Sequence, residues 1–471
     1  MADILARLFG SLKRAPEAEE EEPIRGELYS VERLEQTAAL LASEHAVVTG
    51  GARGKSLLPR LEENGRRLIT AYRALADAIQ KGRAISPAAE WLVDNFHIIE
   101  EQLREIREDL PKGYYYELPK LERGELSGYP RIYALALTLI AHTDSRLDTD
   151  TLRRFILAYQ HESVLSIGEL WAVAITLRLA LVENLRRLAT RIVASRDERE
   201  EADQLADKLL ELAERQPEGV NTYLNERWAR RERPGSAFVV QLTQRLREQD
   251  PAVMPVFGWL ERYLARAGQN IEQVIHLEHQ RQAAAQVTVG NIITSMRFLS
   301  TLDWRDFFES VSMTEPLLAR DPASVYARMD FATRDRYRHV IERISKRTKK
   351  GELEIAGRAV QLAEAARNSE PHDDDALSHV GFYLIDDGLV QLEKAFAYRM
   401  KIGERARRWM LRHPAAAYMC ALLSLTALIL AALVFYGVRV GSPAWLIALL
   451  VALSLIPASE LALGALNWSI T

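Results

Sequence analysis

The most metal-like spacing in the chain is HDDDALSH, residues 372–379, where Asp373 and Asp375 stand two apart with His372 and His379 on either side. Two carboxylates so placed can hold a divalent cation under a diphosphate, because charged oxygens suit a hard cation. That role needs the acids at the end of a strand beside a nucleotide pocket. Here the run precedes a helical pattern, where acids favour the positive end of the helix dipole. Solvation of a helix start is the expected role, and no metal ligand is assigned.

Three other groupings carry chemistry-bearing residue types. His97 with Glu100 and Glu101 gives half of a helical metal motif, but no second copy completes it, so a solvated flank beside an apolar stripe is expected. Asp303, Asp306 and Glu309 surround Trp304. Paired carboxylates cleave glycosidic bonds and sugar rings stack on indole, yet at helical spacing these acids make a wet face with the tryptophan packed inward. ERISKRTKK, residues 342–350, is a basic helix end without interleaved aromatics. It suits solvent or anionic lipid better than DNA or RNA, so no nucleic-acid partner is expected. No glycine-rich phosphate loop occurs, and no catalytic or cofactor-binding residue is assigned within the chain.

The elements that must position these side chains are helices. In SPAAEWLVDNFHIIEEQLREIREDLP, Leu92, Phe96, Ile99, Leu103, Ile106 and Leu110 recur at steps of four and three, which places them on one stripe. Ser86 caps the start, Pro87 suits the first turn, and Pro111 with Gly113 ends the run. SIGELWAVAITLRLALVENLRRLATRI opens with Ser166 and Glu169 at capping-box spacing. It is apolar around most of its circumference from Leu170 to Val182, interrupted only by Thr176 and Arg178, and so predicts a central buried helix. Glu183 and Arg187, four apart, pair on its emerging end.

Composition agrees with a large folded chain: 471 residues, 48% hydrophobic and 27% charged, with net charge −4. That balance exerts no global pull toward nucleic acid. The single cysteine, Cys420, excludes an intrachain disulfide framework. The first residues, MADILARLFGSLKRAPEAEEEEP, have a short apolar segment broken by Arg7 and followed by acid, which does not read as a secretory signal.

The strongest physical signal lies near the other end. From Ala415 to Tyr436 run 22 residues without a charge, and after GVRVGSP a second apolar run extends from Ala444 to about Leu466. Each is long enough to cross a bilayer as a helix. Ahead of them stand Arg399, Lys401, Arg405, Arg407, Arg408 and Arg412, against Arg439 alone in the turn. The positive-inside bias then predicts a cytoplasmic N-terminal region and an outward-facing turn. Arg405, Arg407, Arg408, Trp409, Arg412, Trp445 and Trp468 are the candidate membrane-interface residues, and Glu460 is an acid within the second span. The expected fold is all-α: a cytoplasmic multi-helix bundle or solenoid-like array followed by a two-helix transmembrane hairpin. Its expected divisions are an acidic disordered segment over residues 1–50, helical domains over 51–233 and 234–412, and the hairpin over 413–471.

Five ordered stretches carry a resemblance. GYYYELPKL, then GYPRIYALALTLIAHTDSRLDTDTLRRFILAYQ, then LSIGELWAVAITLRLALVENLRRLA are similar to the N-terminal region of cyclic β-1,2-glucan synthases of bacterial inner membranes. LDWRDFFESVS with DPASVYARMDFATRDRYRHVIERIS, and SHVGFYLIDDGLVQLEKA, resemble that family in the same order. The resemblance spans roughly residues 50–471 and implies an N-terminal portion of a longer enzyme. It implies, for the complete enzyme, glucose taken from UDP-glucose with a divalent cation, polymerised on the protein, trimmed by phosphorolysis and closed to a ring. The transferase and phosphorylase-like domains that do this would follow Thr471, so no catalytic residue carries over. Expected partners are membrane lipid and those remaining domains, in a bacterial inner membrane. The competing reading is a self-sufficient membrane-anchored helical adaptor that binds protein partners.

Overall fold

The computed structural model describes residues 21–48, 54–109, 117–228, 234–249, 251–266, 268–368 and 375–470. The chain divides into two units, one ending at Leu392 and the other starting at Glu393. The all-α expectation holds. In chain order the helices are α1 Val31–Glu44, α2 Leu58–Gln80, α3 Pro87–Asp94, α4 Phe96–Asp109, α5 Arg131–His142, α6 Thr149–Glu162 and α7 Ile167–Arg215. There follow α8 Gly219–Trp228, α9 Ser236–Leu246, α10 Pro255–Ala265, α11 Ile271–Thr301, α12 Trp304–Val311, α13 Glu315–Leu318, α14 Phe331–Thr348 and α15 Glu352–Asn368. The last are α16 Val380–Ile385, α17 Leu389–Ala395, α18 Ile402–Arg412, α19 Pro414–Arg439 and α20 Ala444–Ile470. A departure from pure helix is the antiparallel pairing of β1 (Val47–Val48) with β2 (Lys120–Leu121), Val47 opposite Leu121.

The first unit is organised around α7, which is 49 residues long. Ser166 accepts from the Glu169 backbone while the Glu169 side chain returns to the Ser166 backbone, so the expected capping box is formed. Leu177, Leu181, Val182 and Leu185 are within 1% of complete burial in the first half of the helix, where α2, α5 and α11 pack on it. Farther along, Ala202, Leu205, Ala206 and Leu209 of the same helix enter a second core with Val220 and Leu224 of α8, Phe238 and Leu242 of α9 and Val256 and Leu260 of α10. One helix thus threads two cores. Pro234 lies between α8 and α9, and both of those helices face the second core.

Two local expectations are modified. The stripe expected as one helix from Pro87 is divided at Asn95, yet Leu92, Phe96, Ile99, Leu103 and Ile106 all remain buried on either side of the break. Residues 1–20 lie outside the described residues, but residues 21–48, expected within a disordered segment, are ordered and carry α1. The reason is an apolar stripe at helical spacing, Leu34, Ala38, Leu41 and Ala42, buried where α1 packs on α6. Arg154 of α6 closes that contact by donating to both Glu35 oxygens at 2.7 and 3.1 Å.

The second unit ends in a helical hairpin. α19 packs on α20, and the Tyr418 hydroxyl donates to Asn467 Oδ1 at 3.0 Å, joining the start of one helix to the end of the other. Gly441 makes the turn with φ of +74°, a conformation glycine adopts without steric cost. Pro457 sits inside α20.

Candidate membrane-facing site

The residues expected at a membrane interface lie in the second unit. α18 ends at His413, whose φ of −130° and ψ of 63° are not helical, and Pro414 opens α19. Proline lacks the amide proton that would continue the α18 ladder and disfavours helical geometry at the residue before it. α18 and α19 are therefore separate helices, divided two residues after Leu411. No residue of α18 is buried. Arg405, Arg407 and Arg412 are exposed, whereas Arg408 donates to Glu393 at 2.8 and 2.5 Å and to Glu404 at 2.9 Å. Glu404 also accepts from the Tyr398 hydroxyl at 2.9 Å. The pairing with Glu393 holds the Arg408 guanidinium above its ordinary pKa despite partial burial.

Along the hairpin, large apolar side chains stand open: Leu428 is 68% exposed, Leu453 70% and Ile456 69%. A core helix of a water-soluble domain would have these covered. Both helices have the length and apolar composition to cross a membrane. Trp445 and Trp468 are exposed near the two ends of α20. Among the described residues of α20, Ala458 and Ala462 are the buried positions, and Glu460 is exposed. Two residues on from Ala458, it points about 200° round the helix, on the side away from that small buried face.

Several chemistry-bearing residues of the first unit are engaged in caps and ion pairs. Asp303 caps α12, accepting from the Arg305 and Asp306 amides at 2.9 and 3.3 Å. Trp304 is half-buried and donates to the Leu299 carbonyl at 3.0 Å. Glu309 pairs with Arg334 and Arg338 at 3.1 and 3.4 Å, so it does not face Asp303 as a second carboxylate would. His97, Glu100 and Glu101 are exposed. His372 and Asp373 lie outside the described residues. His379 has both ring nitrogens in use, Nδ1 at 2.8 Å from Asp321 and Nε2 at 3.1 Å from the Tyr337 hydroxyl. In the 342–350 segment, Lys346 meets Glu117 at 2.6 Å and Glu342 at 2.9 Å.

The structure adds buried ion pairs that periodicity did not single out. Glu183 is 1% exposed and binds Arg60, Asn64, Arg186 and Arg187. Burial opposes its ionisation, but the Arg60 and Arg187 charges overcome this and hold its carboxyl far below the usual range. Arg131 and Glu169 form a second pair, with Nε to Oε1 at 2.5 Å and both residues buried. Asp321 forms a third center, accepting from His379 and from the amides of Val325, Tyr326 and Val380. Its burial is outweighed by these donors, so it too stays below the ordinary carboxylate range. Glu183, Arg186 and Arg187 follow directly on the apolar run from Leu170 to Val182, but nothing local in the sequence marks them as buried together with Arg60.

A groove of about 680 Å³ opens between α7, α11 and the starts of α3 and α9. Arg191, Arg199 and Arg281 line it, with Glu198 and Glu278. Glu198 accepts from the Ala237 and Phe238 amides at the start of α9, and Glu278 accepts from Ser236 at 2.6 Å. Its acids therefore serve packing of α7 against α9 and α11. Among the described residues no group of three or more His, Cys, Asp or Glu is placed to hold a metal ion.

No family model matches the chain. The chain is 34% identical over 465 residues to the cyclic beta-(1,2)-glucan synthase NdvB of Rhizobium meliloti (strain 1021). The similarity covers 97% of this chain and 16% of that protein, so the chain spans about a sixth of its relative's length. The resemblance read from the ordered stretches is borne out along nearly the whole sequence.

Proposed function

We propose that this chain is the cytoplasmic scaffold and membrane-anchor portion of a cyclic β-1,2-glucan synthase, and is itself non-catalytic. The observation that carries the reading is the 34% identity sustained over 97% of the chain. The exposed apolar hairpin of α19 and α20 supports the anchoring part. In this reading the first unit lies in the cytoplasm of a bacterial cell, the two helices cross the inner membrane, and the turn at Arg439 faces outward. The excess of arginine ahead of α19 supports that orientation. UDP-glucose and a divalent cation would be handled by a transferase domain of the longer protein, and chain length by a phosphorylase-like domain. The helical unit would then hold those domains at the membrane. Sugar transfer needs a pocket that positions the donor diphosphate and stabilises departing charge. Asp303 is instead committed to a helix cap and Glu309 to ion pairs with Arg334 and Arg338.

The test is to express residues 1–471 in a host without its own synthase and to incubate its membranes with radiolabelled UDP-glucose and magnesium or manganese. No label above vector-only membranes, in either acid-insoluble protein or soluble glucan, is expected. Incorporation would overturn the non-catalytic reading. Recovery of the chain in the soluble fraction would overturn the anchor.

A further inference from the structure

α18 carries two chemically distinct faces, and nothing in the second unit covers one of them. At 100° per residue, Ile402, Ala406, Trp409 and Met410 fall within about 100° of one another. Ile402 is 88% exposed, Met410 54% and Trp409 45%. Arg405 and Arg412 border this strip on one side and Arg407 on the other, while Glu404 and Arg408 occupy the far side. That far side is tied to the protein, Arg408 to Glu393 and Glu404 to Tyr398. The apolar strip and its basic borders therefore turn away from the contact that secures the helix.

We infer that α18 is an in-plane anchor lying along an anionic bilayer surface, with its Ile402, Ala406, Trp409 and Met410 strip at the acyl boundary and Arg405, Arg407 and Arg412 on lipid phosphates. The inference rests on the reading that α19 crosses the membrane. Three features support it together. The strip is flanked by cations, which fits an anionic surface better than a neutral one. The helix ends one residue before a membrane-length helix, so its distance from a bilayer surface is fixed by the chain. The break at His413 and Pro414 frees α18 from the axis of α19, where a continuous helix would carry the strip straight out into water. A tryptophan on the strip adds a ring suited to the headgroup region. Such an anchor would fix how the first span rotates.

The experiment uses the full chain with Cys420→Ser and one new cysteine, Ile402→Cys, Met410→Cys or Leu411→Cys, labelled with an environment-sensitive fluorophore. Leu411 is 71% exposed and lies opposite Ile402 on the helix, so it reports the far side. The protein is reconstituted into vesicles of phosphatidylcholine with or without 30% phosphatidylglycerol, containing a lipid spin-labelled near the headgroup. Quenching at 402 and 410 should be at least threefold stronger than at 411 in anionic vesicles. It should weaken toward the 411 level in pure phosphatidylcholine, and likewise with Arg405→Gln, Arg407→Gln and Arg412→Gln combined. Equal quenching at all three positions, or protection at 402 and 410 independent of lipid charge, would overturn the inference, the latter pointing to a protein cover. Alkaline carbonate extraction separates the two readings: a chain that stays in the pellet without contact at 402 and 410 refutes only the in-plane anchor. One that is extracted refutes the membrane-spanning hairpin as well.

Discussion

Glu183 and Arg60 lie 123 residues apart in sequence and 2.5 Å apart in the core of the first unit. The carboxylate also meets Arg186 and Arg187, which are 5% and 2% exposed and pair with Glu21 as well. Glu183→Gln keeps the shape and removes the charge. It should lower stability by about 3–5 kcal/mol, because Arg60 loses its carboxylate and the buried Arg186 and Arg187 are left sharing Glu21. Denaturant unfolding of the full chain in detergent, followed by circular dichroism, measures this. The acid is depressed on folding, so its contribution is complete above the usual carboxylate value of 4.5 and is lost as pH falls below it. The glutamine variant should lack that part of the acid-side decline. A change below about 1 kcal/mol would show that the network is dispensable.

Two half-buried groups give opposite pH slopes. His45, 3.0 Å from the Tyr159 hydroxyl, is pushed down to about 4 by burial and by Arg131. The unfolded chain therefore takes up its proton first, and His45 contributes stability above pH 6.5 that is lost as pH falls toward about 4. Burial pushes Glu352, which accepts from the Ile167 amide at 2.8 Å, up to about 7. Its contribution is present below pH 4.5 and is lost as pH rises through about 7. His45→Gln should flatten the fall in thermal midpoint between pH 6.5 and 4.5, and Glu352→Gln the fall between pH 4.5 and 7.5. Unchanged profiles in both variants would contradict these assignments.

Leu177 is 1% exposed in the first half of α7. Leu177→Asp places an unpaired carboxylate in an apolar core at a cost of several kcal/mol, which rivals a whole domain's stability. Cooperative unfolding should disappear at 25 °C, with increased protease cleavage of the first unit. An ordinary cooperative melt in that variant would mean that this stretch of α7 is not in the core.

α7 was legible because its signals are local. Ser166 and Glu169 are three apart, and an apolar circumference from Leu170 to Val182 leaves no solvent face to assign. The hairpin was legible for the same reason, since length and lack of charge need no partner. Glu183 was read as half of a helical pair with Arg187, which does form at 3.1 Å. Its burial was not legible, because Arg60 and Asn64 come from α2, and no period links positions so far apart. α1 was missed beside the acidic run at residues 17–22, whose composition masked the Leu34, Ala38 and Leu41 stripe. Asp321 was not singled out at all: an isolated acid between Arg320 and Pro322 gives no hint of the His379 and Tyr337 that meet over it. On α18, the arginines were visible in sequence, whereas the commitment of Arg408 to Glu393 required the fold.

The proposed orientation makes a direct prediction. In a Cys420→Ser background, Ser442→Cys in the turn should react with a membrane-impermeant maleimide added to intact cells with a permeabilised outer envelope. Thr301→Cys, exposed on the first unit, should react only after lysis. The motive is six basic residues ahead of α19 against one in the turn. Reaction at 301 without reaction at 442 would invert the topology.

Glu460 tests how α20 sits in a bilayer. It is the residue of that span least suited to hydrocarbon, and it lies away from the buried Ala458 and Ala462 face, so pairing with α19 cannot shield it. Sixteen residues beyond Ala444, it stands about 24 Å along the helix, past the middle of a hydrocarbon layer roughly 30 Å thick. An acid at the center of such a layer costs about 2.5–3.5 kcal/mol, and less toward the interface, where Pro457 one turn earlier also loosens the backbone. Glu460→Leu should therefore improve insertion of α20 by roughly 1–2 kcal/mol, read as the inserted fraction in a translation system with microsomes, while leaving α19 unchanged. A neutral effect would place Glu460 in water or headgroups and shorten the span at that end. A loss of insertion would require the carboxylate to hold α20 in place through a polar contact within the membrane, the opposite of a cost that another helix or a water-filled cavity must relieve.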